Sequence, residues 1–131
     1  MKPLVAKSWE TSYLATPSPY QRHRQVLFSS KTHGVRSAAV GTVTIPPGSK
    51  SDYHAHEKSD EFWIFTKGHG KVNVDGNVVE VQPGVVVLAP AESHHQIINN
   101  GRDTLHAYWI LCPPGPEEGL LTMMREASPE L

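Results

Sequence analysis

The chain has 131 residues, enough for one domain with a core of its own. Its 12 basic and 13 acidic residues give a formal net charge of -1, so no general field favours nucleic acid or anionic lipid as a partner. No stretch approaches the ~20 apolar residues of a membrane span, and the N-terminus lacks the apolar segment of a signal peptide. The single cysteine, Cys112, cannot form a disulfide within the chain. We therefore expect a soluble, unexported protein in a reducing cytoplasm.

Residues 1–35 are predicted to form an N-terminal arm followed by the first strand. Over residues 1–23, apolar side chains such as Leu4 and Trp9 mix with a proline-containing turn at residues 16–19. This pattern predicts an irregular arm that packs on the rest of the domain or on a second subunit. The first predicted strand covers residues 24–28.

Short strands then follow one another as far as residue 112. Apolar runs separated by Gly, Pro, Asn and Asp predict strands over residues 36–45, 61–66, 71–74, 78–81, 85–89, 94–98 and 104–112. Asp75-Gly76-Asn77 favours a tight hairpin between two of them. The continuous apolar run over residues 85–89 predicts a strand buried on both faces. Together these patterns predict an all-β fold, an antiparallel barrel or a double-sheet jelly roll.

Residues 113–131 are predicted to form a C-terminal tail with one short helix. Glu117 and Glu118 supply an acidic start and Arg125 a basic end, as the helix dipole favours. The helix is expected to cover the edge of the barrel. The chain is thus one domain in three parts: residues 1–35, the core 36–112, and 113–131.

Two histidines and a glutamate occur at a spacing suited to metal ligands. On a strand, His54 and His56 would face the same side, with their backbones about 6.5 to 7 Å apart. Glu61 can enter from the next strand after a short turn, and imidazole with carboxylate binds first-row divalent metals. On its own this triplet is weak evidence. His94 and His95 are adjacent, so only one of them can face the interior.

The residues around these histidines resemble the two sequence motifs of the cupin superfamily. The positions that match are Gly48, His54, His56, Glu61 and Gly68 for the first motif, and Gly84, Pro90, His95 and Asn99 for the second. One position departs, because Glu92 stands where the family pattern usually has glycine. That departure predicts a different loop conformation, or an extra carboxylate directed toward the site.

The resemblance covers residues 36–112 and implies a double-stranded β-helix with one divalent transition metal, Fe, Mn, Ni, Zn or Cu. It selects His95 over His94, and it implies the ligand set His54, His56, Glu61 and His95. The alternative is a hydrogen-bonded network of the same four residues without metal. Three imidazoles and one carboxylate leave one or two octahedral positions open, which is the arrangement of a reactive site.

Aromatic side chains near these ligands are candidates for contact with a substrate. Trp63 and Phe65 share the alternation phase of Glu61 and are predicted to line the interior and bind substrate, with core packing as the alternative. Tyr108 is a candidate catalytic and substrate-binding residue if its hydroxyl points into the cavity, or it caps the barrel edge. Glu61 is the other candidate for moving a proton.

The remaining basic side chains have weaker assignments. His23, His33, His69 and His106 lack ligand spacing and are expected to be solvated or satisfied within the fold. Arg22, Arg24 and Arg36 can bind a substrate carboxylate, with exposed strand arginines as the alternative.

These observations favour a metal-dependent enzyme, of lyase, decarboxylase or isomerase type, that acts on a small oxygen-rich or anionic molecule. The alternatives are a non-catalytic small-ligand or sugar-binding cupin and an Fe(II) dioxygenase. The core layout, with Tyr108, also resembles the dimethylsulfoniopropionate lyases. In those enzymes a tyrosine two residues beyond the ligand glutamate is implicated as the base, whereas this chain has Trp63 there, and indole cannot abstract a proton. The family further implies a homodimer that exchanges strands or arms.

Overall fold

The structure, a computed structural model, describes residues 1–127. Its strands, in chain order, are β1 (Leu14–Thr16), β2 (Arg22–Phe28), β3 (Ala39–Ile45), β4 (His54–Ala55), β5 (Asp60–Lys67), β6 (Gly70–Val74), β7 (Asn77–Val81), β8 (Val86–Ala89), β9 (His94–Ile98) and β10 (Leu105–Cys112). Its helices are α1 (Ser30–His33) and α2 (Glu117–Ala127), with one 3-10 turn at Ser8–Glu10. The last four residues of the predicted C-terminal tail, 128–131, lie outside the described residues.

The strands form two antiparallel sheets. One has six strands in the order β1-β2-β3-β10-β5-β8, and the other has four in the order β4-β9-β6-β7. A single hydrophobic cluster draws on both sheets, combining Phe65 and Leu105 from the first with Val72 and Ile97 from the second. The predicted all-β jelly roll is therefore confirmed.

Strand alternation decides which side chains reach this interior. On β10 the buried residues are Leu105, Ala107, Trp109 and Leu111, and the residues between them are only half-buried on the opposite face. On β5 the same alternation buries Glu61, Trp63 and Phe65, as predicted from their shared phase. The phase of β10 places Tyr108 on the outer face of the six-stranded sheet.

One predicted strand has a different environment from the one expected. The run over residues 85–89 was predicted to be buried on both faces, but Val86 is 58% exposed and Leu88 is 45% exposed. The prediction is wrong because only the face of β8 that carries Ala89 is turned to the core, while Val86 and Leu88 lie on the outer face of an edge strand, paired only with β5. An apolar run does not specify how many neighbours a strand has.

The N-terminal arm is more ordered than predicted. Strand β1 lies within it and pairs with β2, which begins at Arg22 rather than at residue 24. The 3-10 turn is held by Gln25, whose Nε2 donates to the carbonyl oxygens of Ser8 and Thr11, both at 2.7 Å. Residues 8–16 therefore pack on the sheet of the same chain.

The predicted C-terminal helix is present as α2, which packs against β1 and β2. Its acidic first turn and its basic last turn are as expected, and Leu120 joins the hydrophobic core. Among the described residues, none of the helices combines the length and apolar character required to cross a bilayer.

Candidate metal centre

The four predicted ligands come together inside the barrel. Strand β4 pairs with β9 so that His54 lies opposite His95, while His56 directly follows β4 and Glu61 lies near the start of β5. One ligand atom from each residue lies within 4.8 Å of the others. His95 is 2% exposed and Glu61 is 7% exposed. Because this cluster joins both sheets, its geometry depends on the whole barrel.

Glu61 is at the centre of the contacts within this cluster. Its Oε1 lies 3.0 Å from His56 Nε2, with hydrogen-bond geometry, and 3.4 Å from His95 Nε2, without it. The ring centroids of His54 and His95 are 4.6 Å apart. Neighbouring ligand atoms that share one first-row ion, each about 2.0–2.2 Å from it, are separated by about 3.0–3.6 Å, so the two distances from Glu61 Oε1 fit a shared ion.

His95 provides the test of whether these residues fit a metal. Neither of its ring nitrogens has a hydrogen-bond partner in the protein, although both are buried. A buried polar nitrogen without a partner costs free energy, and coordination to an ion satisfies it. A hydrogen-bonded network without metal accounts for His56 and Glu61 but not for His95. The donor set therefore fits a divalent ion.

Asp52 orients His54. The Nδ1 of His54 lies 3.1 Å from the backbone oxygen of Asp52 and 3.4 Å from its Oδ2. The Asp52 carboxylate is held in turn by Arg22, whose Nη2 donates to Oδ1 at 2.9 Å. This contact assigns the proton to Nδ1 and leaves the Nε2 of His54 as the metal-binding atom, an outer-shell arrangement common at metal sites.

The local electrostatics favour the protonation states that bind metal. Burial lowers the pKa of His54, and the neighbouring His95 lowers it further, against an opposing effect of Asp52. Burial raises the pKa of Glu61, but contacts with His56 and His95 outweigh it, so the net pKa lies below its ordinary value. Near neutral pH the site thus combines a neutral imidazole with an ionised carboxylate.

The cluster forms part of the wall of a cavity of about 100 Å³. Much of the remaining wall is apolar and includes Trp63, Trp109 and Leu120. A wider groove shares Arg22 and Arg24 with the cavity and is bordered by residues 16–20 and by α2. The site is therefore reached between the β1–β2 connection and the C-terminal helix.

The other predicted site residues differ in where they lie. Trp63 lines the cavity and packs edge-on against His95, with ring centroids 5.0 Å apart. Phe65 is 1% exposed and belongs to the hydrophobic core, without lining the cavity, so its alternative role of core packing holds. The expectation that Tyr108 reaches the cavity is wrong, because strand alternation turns it outward beside His106 and turns Trp109 inward.

The loop before His95 shows how Glu92 is accommodated where the cupin motif usually has glycine. Its side chain is exposed, so it does not supply an extra carboxylate to the site. Its backbone has φ = 72°, the left-handed region that favours glycine, and its N–H donates to the carbonyl of His56 at 2.7 Å. The loop therefore keeps a conformation suited to glycine despite the substitution.

Three charged residues, Arg22, Arg24 and Glu117, contribute more to the cavity wall than their sequence patterns predicted. Arg22 and Arg24 line the cavity, whereas Arg36 is exposed. Glu117 is 2% exposed and lines the same cavity. Its position in the first turn of α2 indicated only a favourable helix dipole, because the docking of that helix is a tertiary contact.

A two-sheet antiparallel barrel with three histidines and a glutamate in its interior defines a small jelly-roll protein with a candidate metal centre. The cupin domain family matches residues 41–111, and the chain belongs to this family.

The matches to similar proteins cover most of the chain. An uncharacterized protein of Methanocaldococcus jannaschii is 28% identical over 95 residues, which are 72% of this chain and 75% of that protein. The tetracenomycin polyketide synthase protein TcmJ of Streptomyces glaucescens is 26% identical over 113 residues, 81% of this chain and 76% of its own. A predicted oxalate decarboxylase of Thermotoga maritima has a similar structure, with a TM-score of 0.74 at 21% identity, covering 84% of this chain and 99% of that one. At that identity the structural likeness shows the shared fold alone.

Proposed function

We propose that the protein is a metal-dependent cupin enzyme that acts on a small oxygen-rich or anionic organic molecule. One divalent transition metal would be held by His54, His56, Glu61 and His95. The observation that carries the proposal is His95, buried beside Glu61 with neither ring nitrogen bonded within the protein. When bound, such an ion supplies Lewis acidity toward a substrate oxygen.

The chain's own residues prepare the site for this role. Asp52 holds His54 in one tautomer, and the apolar wall formed by Trp63 and Trp109 limits access of water to the cavity. Glu61, ionised near neutral pH, is the proposed proton acceptor. Tyr108 is not part of this proposal, because it faces away from the cavity.

Three types of reaction are candidates for this site. Decarboxylase, isomerase and lyase types are all compatible with an open metal position, and the first is the activity predicted for the Thermotoga maritima protein that shares the fold. The dimethylsulfoniopropionate lyase reaction has no support, because Trp63 replaces the base and Tyr108 is turned outward. A non-catalytic ligand-binding cupin and an Fe(II) dioxygenase remain the alternatives.

Elemental analysis combined with a turnover assay tests the proposal. We expect about one transition metal per chain in the purified protein, and turnover of a small oxygen-rich acid that is lost on chelation and restored by metal. Full turnover by the double variant His54→Ala/His95→Ala would rule the proposal out. Ligand binding without turnover would favour the non-catalytic alternative, and oxygen consumption that depends on iron would favour the dioxygenase.

We also propose that two copies of the chain form a homodimer through the β8 edge and the N-terminal arm. Val86 and Leu88 are exposed on an edge strand, and Leu4, Val5 and Trp9 of the arm are 68%, 72% and 80% exposed. Exposed apolar side chains beside an unpaired strand edge are typical of an interface. A cytoplasmic location stays a prediction from Cys112.

Light scattering at micromolar concentration checks the dimer. The wild-type protein is expected to have twice the mass of the chain, and the double variant Val86→Lys/Leu88→Lys is expected to be monomeric, because it places two charges on the interface. The control is Val78→Lys/Val79→Lys, which changes two exposed valines on the edge strand β7 of the other sheet. A monomeric wild-type protein, or a dimer that only the control disrupts, would contradict this assignment.

A further inference from the structure

Two arginines on β2 line the metal-site cavity and have buried N–H donors without a protein partner. Arg22 and Arg24 are two residues apart and line the same wall. Arg22 is 6% exposed, and its Nη2 donates to Asp52 while its Nη1 has no protein partner. The Nε of Arg24 is also buried without a partner. Burial, together with the neighbouring Arg22, lowers the pKa of Arg24 to about 10, so the Arg24 guanidinium remains charged near neutral pH.

A carboxylate faces the same cavity from α2. Glu117 is 2% exposed; its Oε1 accepts a hydrogen bond from the backbone N–H of Gly115, and its Oε2 has no protein partner. Among the ion pairs of residues 1–127, none joins Glu117 to either arginine. The residues that line the cavity therefore include two arginines on β2, each with one buried N–H donor that lacks a partner, and a glutamate on α2 with one carboxylate oxygen that lacks a partner.

These groups are complementary to a particular kind of ligand. Guanidinium groups bind carboxylates by charge-assisted hydrogen bonds, and a carboxylate such as Glu117 accepts a hydrogen bond from a hydroxyl. Arg22 is already paired with Asp52, but a neutral sugar would leave the half-buried charge of Arg24 without an ion-pair partner, which is costly. A volume of about 100 Å³ suits a ligand of a few carbons, and a longer ligand would extend into the wider groove that shares Arg22 and Arg24.

We propose that the cavity binds a small hydroxycarboxylic acid, with its carboxylate on Arg22 and Arg24 and its hydroxyl on Glu117. This inference rests on the proposed function in that it assigns a substrate class to the same cavity. The apolar wall, including Trp63 and Trp109, accommodates the carbon skeleton. Neither the arginines nor Glu117 belongs to the metal-ligand cluster, so the anchoring can be measured with and without metal.

Titration of the ¹⁵N-labelled protein, followed by NMR, tests the ligand class. The probes are glycolate, acetate and glycolamide, which differ by one hydroxyl or by one charge, and each is added to the metal-free and to the zinc-loaded protein. We expect glycolate to bind the metal-free protein about tenfold more tightly than acetate, and glycolamide to bind at least about tenfold more weakly than glycolate. Equal affinity for glycolate and glycolamide would overturn the assignment of the arginines.

Matched variants assign each end of the ligand. Arg24→Gln is expected to weaken glycolate and acetate alike by about tenfold, while Arg36→Gln, which changes an exposed arginine, leaves both unchanged. Glu117→Leu is expected to abolish the preference for glycolate over acetate, while Glu118→Leu, at the exposed neighbour, retains it. If Glu117→Leu does not fold, Glu117→Asp, which withdraws the carboxylate by one methylene, is expected to lose the same preference.

Zinc binding measured by calorimetry separates this inference from the proposed function. Zinc bound at one ion per chain, with no carboxylate bound at millimolar concentration, would overturn the inference and leave the metal centre intact. Carboxylate binding by a protein that binds neither zinc nor Fe(II), Mn(II), Ni(II) or Cu(II) would support the anchoring residues and count against the metal-dependent enzyme. A preference for glycolate that persists in Glu117→Leu would overturn the role of Glu117.

Discussion

Replacing His95 with leucine is expected to lower the affinity of the protein for Zn²⁺ by at least about 100-fold. Loss of residues that merely orient a ligand costs about 10- to 100-fold at metal sites, and His95 is itself one of the four grouped ligands. The variant His94→Leu is the matched control, because the adjacent side chain is exposed on the opposite face of β9. Calorimetric titration of the metal-free proteins with zinc measures the difference. Unchanged affinity in His95→Leu would contradict the metal centre.

Although His95→Leu weakens zinc binding, it is expected to leave the metal-free protein as stable as the wild type or slightly more stable. In the wild type, both nitrogens of His95 are buried without a protein partner, which is a cost that leucine removes. The free energy of unfolding of metal-free His95→Leu should therefore equal that of the wild type or exceed it by up to about 1 kcal/mol.

Zinc reverses this order of stability. At a free concentration about 1,000 times the wild-type dissociation constant, zinc is expected to stabilise the wild type by about 4 kcal/mol and His95→Leu, with its at least about 100-fold weaker affinity, by no more than about 1.4 kcal/mol. Urea unfolding with zinc and with a chelator measures both effects. A variant that loses stability in the chelator and retains the response to zinc would show that His95 has only a packing role.

The second large effect is expected at Gly41. A Cβ at this position would lie 2.0 Å from the backbone oxygen of Gln25 and 2.1 Å from Cζ2 of Trp109. Gly41 is paired with β2 on one side and with β10 on the other, so neither neighbour can yield without disturbing a strand ladder. Gly41→Ala is therefore expected to lower the free energy of unfolding by about 3 kcal/mol, the upper end of the usual cost of overpacking.

The effect of Gly41→Ala extends to the cavity through Trp109. The indole Nε1 donates to the backbone oxygen of Thr42 at 3.0 Å, which holds the ring over Gly41 and in the cavity wall. Displacing the ring is expected to weaken ligand binding as well as stability. Gly119→Ala is the control, because nothing lies within 4 Å of the added Cβ in α2, and it should raise stability by up to about 1 kcal/mol. Equal stability of the two variants would contradict the close packing of Trp109.

Most of the fold was predictable because its signals are local. Period-two alternation and turn residues placed β5, β6, β7, β9 and β10 to within one or two residues, since both depend on the conformation of neighbouring residues. Three of the four candidate ligands were predictable for the same reason, whereas His95 was selected by the resemblance to the cupin motifs. His54 and His56 lie two residues apart, and Glu61 follows a short turn, so the spacing along the chain limits their separation in space.

The face of a strand that points inward was harder to predict where both phases contain large apolar residues. On β10 the phase of Trp109 is wholly apolar, whereas the phase of Tyr108 also contains His106 and Ile110, so composition favours Trp109 inside without excluding Tyr108. The pairing of β10 between β3 and β5 decides the matter, because it sets which phase meets the opposite sheet. The exposure of Val86 likewise depends on β8 having only one neighbour.

The sequence by itself determined the family, the succession of strands along the chain and the four residues that can hold a metal, because motif spacing and alternation act over a few residues. Only the tertiary structure decided what surrounds those residues. Arg22, Arg24 and Glu117 line one cavity because α2 packs against β1 and β2. Tyr108 does not line it, because the alternation of β10 places Trp109 in the interior and Tyr108 on the outer face. These outcomes depend on contacts between segments far apart in the chain, which no local pattern specifies.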